Sequence, residues 1–307
     1  MLVLIAGATG NLGQKLIQSL HDRGHQVRAL ARDPSKLNTT LQGKLESFVK
    51  FTNYYDIDAL DRASHGVDAV ICAYNGVPEL HLDGQLLLLR AAERAGVKRY
   101  VAATWNYDWR DMVLGMHESF DPILSFHAQA ELNSTIKPLY ILCGAFAEVF
   151  FSSPGHGDFS PANHGIWDPE AKTMDVWGPE DQAVWQLTTE RDAAELTAEI
   201  VGRDDAPEGG YWSVCSGEYS LKDIAAVYEK VRGVKVRKQY QGSVEELRVT
   251  ALQARGRGSK KNFFEYIGYF YQLYTYDGTW TLKALDNDKL GVEVTSLERF
   301  LQENPSV

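Results

Sequence analysis

The sequence predicts an α/β protein, in which a Rossmann-type, doubly wound parallel sheet is followed by a smaller α/β domain. Two observations predict this fold class. An apolar run over residues 1–6 leads into the glycine pattern Gly7-Ala-Thr-Gly10-Asn-Leu-Gly13, which is typical of a strand, a phosphate-binding turn and a helix. Strand-like and helix-like segments then alternate up to residue 143, and such alternation predicts right-handed βαβ crossovers in a parallel sheet.

The glycines of the first turn have separate expected roles. Gly7 permits the tight turn, Gly10 keeps a side chain away from a bound pyrophosphate, and Gly13 lets the helix pack closely on the strand. The alternative is a structural turn without a ligand, but an amphipathic helix follows directly, and free N–H groups at its start attract anions. We expect this turn to contact a dinucleotide through Gly7, Thr9, Gly10, Asn11, Leu12 and Gly13.

The periodicity places six strands in the first domain, over residues 1–6, 25–31, 45–51, 67–73, 100–104 and 139–143. The first helix is expected to end near His21. Further helices are expected over residues 56–64 and 81–95 and from Asp121 onwards. We expect the cofactor domain to span residues 1–151 and the substrate domain 152–307, with part of 178–218 returning to the first sheet. In the second domain, strands are expected over 172–177, 211–215 and 234–240, and helices start near Thr189, Ser220 and Ser243.

The end of the second strand predicts the type of cofactor. Arg32 follows that strand where NAD-specific sites place an acidic residue, and a guanidinium suits the 2′-phosphate of NADP. Lys36 adds a second positive charge, whereas Asp33 before Pro34 is expected to cap a helical turn. The alternative for Arg32 is an exposed arginine at a helix entry. The sequence therefore favours NADPH/NADP over NAD.

Composition excludes several classes of partner. The 307-residue chain carries a net charge of −10, which disfavours nucleic acid and anionic membrane surfaces. No apolar stretch approaches 18 residues, and the isolated Cys72, Cys143 and Cys215 are expected to be buried and reduced. We expect a cytoplasmic monomer or homodimer without a metal site. One basic cluster is expected to be a solvated loop: Arg255, Arg257, Lys260 and Lys261.

Several motifs together resemble the NmrA-like family of atypical short-chain dehydrogenases, which includes isoflavone reductases and phenylcoumaran benzylic ether reductases. The resemblance covers nearly the whole chain and implies an NADP(H)-binding domain and a smaller substrate domain. It rests on Gly7–Gly13, Arg32-Asp-Pro-Ser-Lys36, Gly66-Val-Asp-Ala-Val70, Ala91-Ala-Glu-Arg-Ala-Gly-Val-Lys-Arg-Tyr100, Thr188-Thr-Glu-Arg-Asp192 and Val294-Thr-Ser-Leu-Glu-Arg-Phe-Leu301.

The sequence departs from the catalytic patterns of this family. No tyrosine has a lysine four residues later, and the segment resembling the helix that carries the reductases' lysine contains none before Lys137. His127 aligns with the lysine and is the first candidate proton donor, with Glu131 one helical turn away. Tyr107 is the second candidate, although a phenol needs a helper to act near neutral pH. The alternative for His127 is a packing or cofactor-contact role.

Further site residues follow from the strand ends and from the resemblance. We expect cofactor contacts from Ala73, Tyr74 and Asn75 at the tip of the fourth strand, and from Thr104 and Phe146 after the fifth and sixth. The stretch 263–280 is too rich in aromatic residues for one buried helical face, which predicts an aromatic-walled pocket. The pocket residues expected are Trp105, Phe150, Tyr266 and Phe270, and the loop 108–120 either covers the site or packs on itself.

These observations predict an NADPH-dependent reductase of secondary metabolism that acts on an aromatic or conjugated small molecule. Two alternatives stay open because the lysine is missing. One is a non-enzymatic, NADP(H)-sensing regulator of the NmrA-like type. The other is an enzyme of the same fold that performs a dehydration or cyclisation without hydride transfer.

Overall fold

The computed structural model describes residues 1–307. Its strands, in chain order, are β1 (Leu2–Ala6), β2 (Gln26–Ala31), β3 (Leu45–Lys50), β4 (Ala69–Cys72), β5 (Arg99–Val101), β6 (Leu139–Leu142), β7 (Ala145–Phe146), β8 (Trp167–Asp168), β9 (Thr173–Trp177), β10 (Val184–Thr188), β11 (Gly210–Ser213), β12 (Gly217–Ser220) and β13 (Arg237–Gly242). Its α-helices are α1 (Asn11–Asp22), α2 (Thr39–Gln42), α3 (Ile57–Ser64), α4 (Gln85–Arg94), α5 (Asp121–Asn133), α6 (Ala147–Phe150), α7 (Glu190–Gly202), α8 (Leu221–Arg232), α9 (Val244–Arg257), α10 (Ile267–Tyr276) and α11 (Leu297–Glu303).

The centre of the molecule is a seven-stranded sheet in the order β11-β6-β5-β4-β1-β2-β3, and all of its neighbouring strands are parallel. The predicted Rossmann-type, doubly wound fold is therefore confirmed. The strand order reverses between β1 and β4, and a crevice opens outside the carboxyl ends of the strands at such a point. The loops that follow β1, β2, β4, β5 and β6 begin at this edge.

Most elements of the first sheet lie where the sequence predicted them. The six expected strands are present in order, although β5 is shorter than expected because Thr104 leaves the strand and bonds sideways to Ile141. The expected helix over 81–95 begins as a π-helical turn at Leu80–Gly84 before α4. Residues 210–213, within the segment expected to return to the first sheet, form its edge strand β11 next to β6.

Two three-stranded sheets lie beside the large one, in the orders β12-β10-β7 and β13-β9-β8. Their core contains fully buried aromatic rings, among them Phe150, Phe151, Trp167 and Trp185, and α8 and α11 pack against it. The sequence did not predict β10 or β12. The strand expected over 234–240 starts only at Arg237, because Gly233 ends α8 in a left-handed conformation and residues 234–236 form the connection.

The basic cluster is not the solvated loop that the sequence predicted. Arg255 and Arg257 lie in the last turn of α9. The Arg255 guanidinium lies 3.6 Å from the centroid of the Phe270 ring and pairs with Glu118 at 2.9 Å. Burial of its stem and the ion pair therefore make Arg255 part of the packing, while Arg257 stays exposed.

The three cysteines are buried and free, as predicted. None of the helices combines the length and the apolar character needed to cross a bilayer.

Candidate functional site

The glycine turn is shaped for a ligand that approaches the backbone. Gly7 has φ +85°, and a Cβ on Gly13 would lie 2.3 Å from the Gly7 carbonyl oxygen, so both positions require glycine. At Gly10 such a Cβ would lie 3.3 Å from the Gly7 carbonyl oxygen, which is a tight contact but much less crowded than the one at Gly13. No side chain caps α1, and the N–H groups of residues 11–13 make no hydrogen bond. This uncapped helix start is suited to an anion.

Positive charge collects at the ends of β2 and β3. The side chains of Arg32 and Lys36 are exposed and make no ion pair. The Asp33 carboxylate accepts hydrogen bonds from the backbone N–H (3.0 Å) and hydroxyl (2.7 Å) of Ser35, so it caps the turn as predicted. Lys50 is a third cation without an ion pair. Its neighbour in the strand register of β2 and β3 is Ala31, so Lys50 lies beside Arg32. Sequence reasoning did not include Lys50, since strand register brings it there.

The tip of β4 meets the glycine turn directly. A Cβ on Gly7 would lie 2.4 Å from the carbonyl oxygen of Ala73, and the N–H of Ala73 donates to Ala6. Asn75 is exposed at the edge, where its side-chain oxygen accepts from the Gly76 N–H at 2.8 Å. The Tyr74 side chain turns into the core instead. Ala73 and Asn75 are thus at the crevice, whereas only the backbone of Tyr74 is.

After β5, two of the predicted site residues use their side chains for hydrogen bonds within the protein. The Thr104 hydroxyl accepts from the N–H of Ile141 at 3.1 Å and is nearly without exposed surface, so it joins two strands. The Trp105 indole N–H donates to the Thr197 hydroxyl at 2.9 Å, and its ring is partly exposed. Phe146, in β7, is also partly exposed at this edge.

His127 lies against the sheet rather than at its edge. Its Nε2 is 2.6 Å from the hydroxyl of Tyr211, and its ring is 5.2 Å from the rings of Trp109 and Tyr140. Tyr140 precedes the last residue of β6 by two positions, about 7 Å along a strand. The imidazole therefore contacts other aromatic side chains, and Glu131 is not among its hydrogen-bond partners. Its role as proton donor stays a prediction.

Tyr107 is completely enclosed. Its ring stacks on Trp280 with a centroid distance of 4.3 Å, and its hydroxyl has no hydrogen-bond partner. Burial raises the pKa of this phenol far above its ordinary value. The role of Tyr107 as a proton donor stays a prediction.

Three of the four predicted pocket residues are in the core. Phe150, Tyr266 and Phe270 expose at most 1% of their surface. Phe150 packs on Phe151 and Trp185, whereas Phe270 lies under Arg255. The loop 108–120 packs beneath α10, since its buried His117 contacts Tyr271 and Tyr274. The aromatic run thus fills space between loop and helix, and only Trp105 of the predicted set keeps an exposed face.

Sequence reasoning missed a loop that reaches the glycine turn. The Asn11 amide donates to the carbonyl of Gly155 at 2.8 Å, across 144 residues of chain. His156 beside it places Nδ1 2.8 Å from the Glu190 carboxylate, which also pairs with Lys15 at 2.7 Å. The glycine- and proline-rich composition of this loop gave no signal for these contacts.

Glu148 lies behind this loop. Burial, with a smaller contribution from the nearby Glu190 carboxylate, raises the pKa of Glu148 to about 7. The carboxyl group of Glu148 is therefore connected to α1 through Glu190, which pairs with Lys15 of that helix.

The uncapped helix start, the glycine at its approach and the cations at the ends of β2 and β3 define a dinucleotide-binding protein of the Rossmann type. The chain belongs to the NmrA-like family, whose model matches residues 1–301. The expected family resemblance is thereby confirmed.

Several of the proteins to which the chain is similar are named as reductases. It is 26% identical over 306 residues to a bifunctional pinoresinol-lariciresinol reductase of Linum usitatissimum, covering 96% of this chain and 93% of the relative. The structure of AtPrR2 with NADP+ and (+)pinoresinol superimposes with a TM-score of 0.77, at 21% identity over 98% of this chain and 97% of that one. The leucoanthocyanidin reductase–NADPH complex from Vitis vinifera gives 0.76, at 19% identity over 99% of both chains. These structures share the fold.

Proposed function

We propose that this protein is an NADPH-dependent reductase of an aromatic or conjugated small molecule. The observation that carries the proposal is the uncapped start of α1 behind Gly10, with three unpaired cations at the neighbouring strand ends. The reductases to which the chain is similar support the same activity. Bound NADPH would supply the hydride.

The chain's own residues have distinct tasks in binding the cofactor. The free N–H groups of residues 11–13 bind the pyrophosphate, and the absent side chain of Gly10 lets it approach. Arg32 and Lys36, with Lys50 beside them, bind the 2′-phosphate, because a guanidinium and ammonium groups match its charge. Ala73 and Asn75 lie further along the same edge, towards Phe146, and hold the nicotinamide end.

We place the aromatic substrate on the surface next to that end. Trp105 and Phe146 expose part of their rings there, and Phe159 and Tyr271 do so where the small sheets meet the large one. Ligand sites commonly lie at such junctions, and flat aromatic faces favour flat aromatic ligands. Pinoresinol, bound by the similar AtPrR2, is therefore a suitable first probe.

Two measurements test the proposal. Thermal unfolding with NADPH, NADP, NADH and NAD should show the largest stabilisation with NADPH or NADP, because a ligand of the native state raises its stability. NADPH oxidation is then followed with pinoresinol, lariciresinol, a phenylcoumaran and an isoflavone. Equal stabilisation by NADH would remove the role of Arg32, and NADPH binding without any turnover would contradict the reductase.

A regulator that senses NADP(H) is the second candidate. It is favoured by one observation, namely that His127 and Tyr107 are both engaged or enclosed by other aromatic side chains. Such a protein would bind NADPH as tightly as the reductase does and oxidise none of it. We also place the protein in the cytoplasm as a monomer or homodimer, which cell fractionation and analytical ultracentrifugation would check.

A further inference from the structure

We propose that the hydroxyl of Tyr271 donates the proton in this reaction, and that Ser119 and His117 hold it in place. The assignment rests on the proposed reductase function. It gives the chain an acid that neither Tyr-x-x-x-Lys nor a helix lysine provides.

The three side chains form a hydrogen-bonded row. The Ser119 Oγ lies 2.8 Å from Nδ1 of His117 and 3.3 Å from the Tyr271 hydroxyl. Ser119 and His117 belong to the loop before α5, and Tyr271 belongs to α10, 152 residues further along the chain. The His117 ring meets the Tyr271 ring edge-on at 4.8 Å. The loop and the helix therefore fix the phenol from two sides.

The hydrogen bonds of this row can all run in one direction, from His117 towards Tyr271. In that arrangement the Tyr271 hydroxyl accepts, and its own proton is free to be donated. His117 has no exposed surface, and its burial, with Arg255 nearby, lowers its pKa well below the ordinary value, so the imidazole is neutral. With its proton on Nδ1, His117 donates to Ser119, and Ser119 donates to Tyr271. The Nε2 atom has no hydrogen-bond partner, and in this tautomer it is a bare nitrogen rather than a buried N–H without an acceptor.

Tyr271 also lies at the right place. Its ring centroid is 6.2 Å from that of Tyr107, in the loop after β5, and 6.0 Å from that of Phe159, which lies in the loop before β8 and packs on the core of the small sheets. The residue as a whole keeps some exposed surface, whereas Tyr107 has almost none. Burial raises the pKa of the Tyr271 phenol, and hydrogen bonds with Ser119 and Asn106 oppose the rise. The side chain of Asn106 contacts the Tyr271 phenol, and the backbone of Asn106 pairs with Leu142 at the carboxyl end of β6, so the phenol lies next to that end of the sheet.

The step balances as follows. Bound NADPH would supply a hydride that forms a new bond to a carbon of the acceptor, and the displaced π-electron pair would move onto the conjugated oxygen. That oxygen takes the phenolic proton of Tyr271, forming an O–H bond as the O–H bond of Tyr271 breaks. The Ser119 hydroxyl donates to the tyrosinate and stabilises it, and water then returns the proton.

Tyr271→Phe tests the assignment, with Tyr269→Phe as the matched control. Tyr269 lies on the same helix, is also partly exposed, and stacks on His164 at 4.1 Å. The substrate is a compound of the lignan and isoflavone panel that the wild type reduces. With it, we expect kcat of Tyr271→Phe to fall by about 100-fold or more, the usual effect of a lost general acid. The Kd for NADPH and the unfolding temperature should stay unchanged, and Tyr269→Phe should behave as wild type.

Ser119→Ala and Ser119→Thr test the positioning role through the pH profile. His117 and Tyr107 are the titratable side chains packed against Tyr271 from the other elements, and Tyr274 is its neighbour on α10. Activity should fall at alkaline pH as Tyr271 loses its proton. Without the Ser119 hydroxyl the pKa of Tyr271 rises further, so the alkaline limb of Ser119→Ala should move to higher pH while kcat falls. Ser119→Thr keeps a hydroxyl and should restore both.

The outcomes separate the two proposals. A Tyr271→Phe variant that keeps its kcat within about threefold, while wild type is active, overturns the assignment and leaves the reductase intact. A reduced kcat in Ser119→Ala with an unmoved alkaline limb overturns the hydrogen-bonded row. A wild-type protein that binds NADPH and reduces no member of the panel overturns the reductase and, with it, the proton donor.

Discussion

The backbone N–H of Glu190 donates to both carboxylate oxygens of Glu148, at 3.1 and 3.2 Å. The Glu190 carboxylate in turn pairs with Lys15 of α1 and with His156. The start of α7, the loop 152–157 and the helix behind the glycine turn are therefore joined through two buried acidic residues. This connection predicts a pH-dependent stability that is measurable without any ligand.

Glu148 should make the fold less stable as pH rises. Its pKa is about 7 in the folded protein, above the 4.5 of a free glutamate, so the folded state binds the proton more tightly. The stabilisation is complete below about pH 4.5 and is lost as pH rises through about 7, at most about 1.4 kcal/mol per pH unit. Thermal unfolding from pH 5 to pH 8 should show this slope reduced in Glu148→Gln. The exposed, unpaired Glu208→Gln is the control, and an equal slope in Glu148→Gln and wild type would disprove the effect.

The glycines of the first turn should separate folding from binding. In Gly13→Ala the new methyl group meets the Gly7 carbonyl, so we expect a loss of about 3 kcal/mol in the free energy of unfolding. Gly10→Ala should lose about 1 kcal/mol, because Ala is a poorer helix cap and its methyl group would lie 3.3 Å from the Gly7 carbonyl oxygen. Its NADPH affinity should nevertheless fall at least tenfold, measured by fluorescence titration. Unchanged NADPH binding in Gly10→Ala would mean that no pyrophosphate approaches there.

Arg32 should determine the choice between NADPH and NADH. Arg32→Ser removes a charge-assisted hydrogen bond worth about 1.5–3 kcal/mol, so the Kd for NADPH should rise about 10- to 100-fold. The Kd for NADH should hardly change, because NADH has no 2′-phosphate. Arg257→Ser, at another exposed and unpaired arginine, is the control. The same loss for both nucleotides would show a general structural effect instead.

Arg255 should contribute to stability in a way that its sequence neighbours do not. It bonds the carbonyl of Met116 at 2.7 Å and the carboxylate of Glu118 at 2.9 Å, and Glu118 is almost fully buried. Arg255→Met leaves that carboxylate unpaired and should lower the free energy of unfolding by about 3 kcal/mol, determined by denaturant titration. Arg257→Met should change it little. Adding Glu118→Gln to Arg255→Met should recover part of the loss, and an additive double variant would contradict the pairing.

The local parts of the fold could be predicted from the sequence, because local features decide them. The glycine turn, the Asp33 cap and the strand alternation depend on residues within a few positions of one another. The contacts of His127 do not. Its hydroxyl partner Tyr211 is 84 residues away, on a strand that returns to the sheet after a long excursion. The sequence placed His127 on a helix but could not show which side chains would surround it.

The aromatic run shows the same limit for the pocket. Periodicity recognised that residues 263–280 hold more aromatic rings than one helical face buries. It could not show that the loop 108–120 covers a second face of this helix. The ring centroids of His117, in that loop, and Trp280 are 5.3 Å apart. Tyr271 could be recognised only after that contact was known, since its partner Ser119 has no motif of its own.

The most direct measurement of the central proposal is hydride transfer itself. Pinoresinol and the other panel compounds are incubated with the protein and with NADPH deuterated at the transferred position, and the products are analysed by mass spectrometry. We expect a reduced aromatic product that carries the deuterium and forms faster with NADPH than with NADH. Bound NADPH together with an unlabelled or absent product would contradict it.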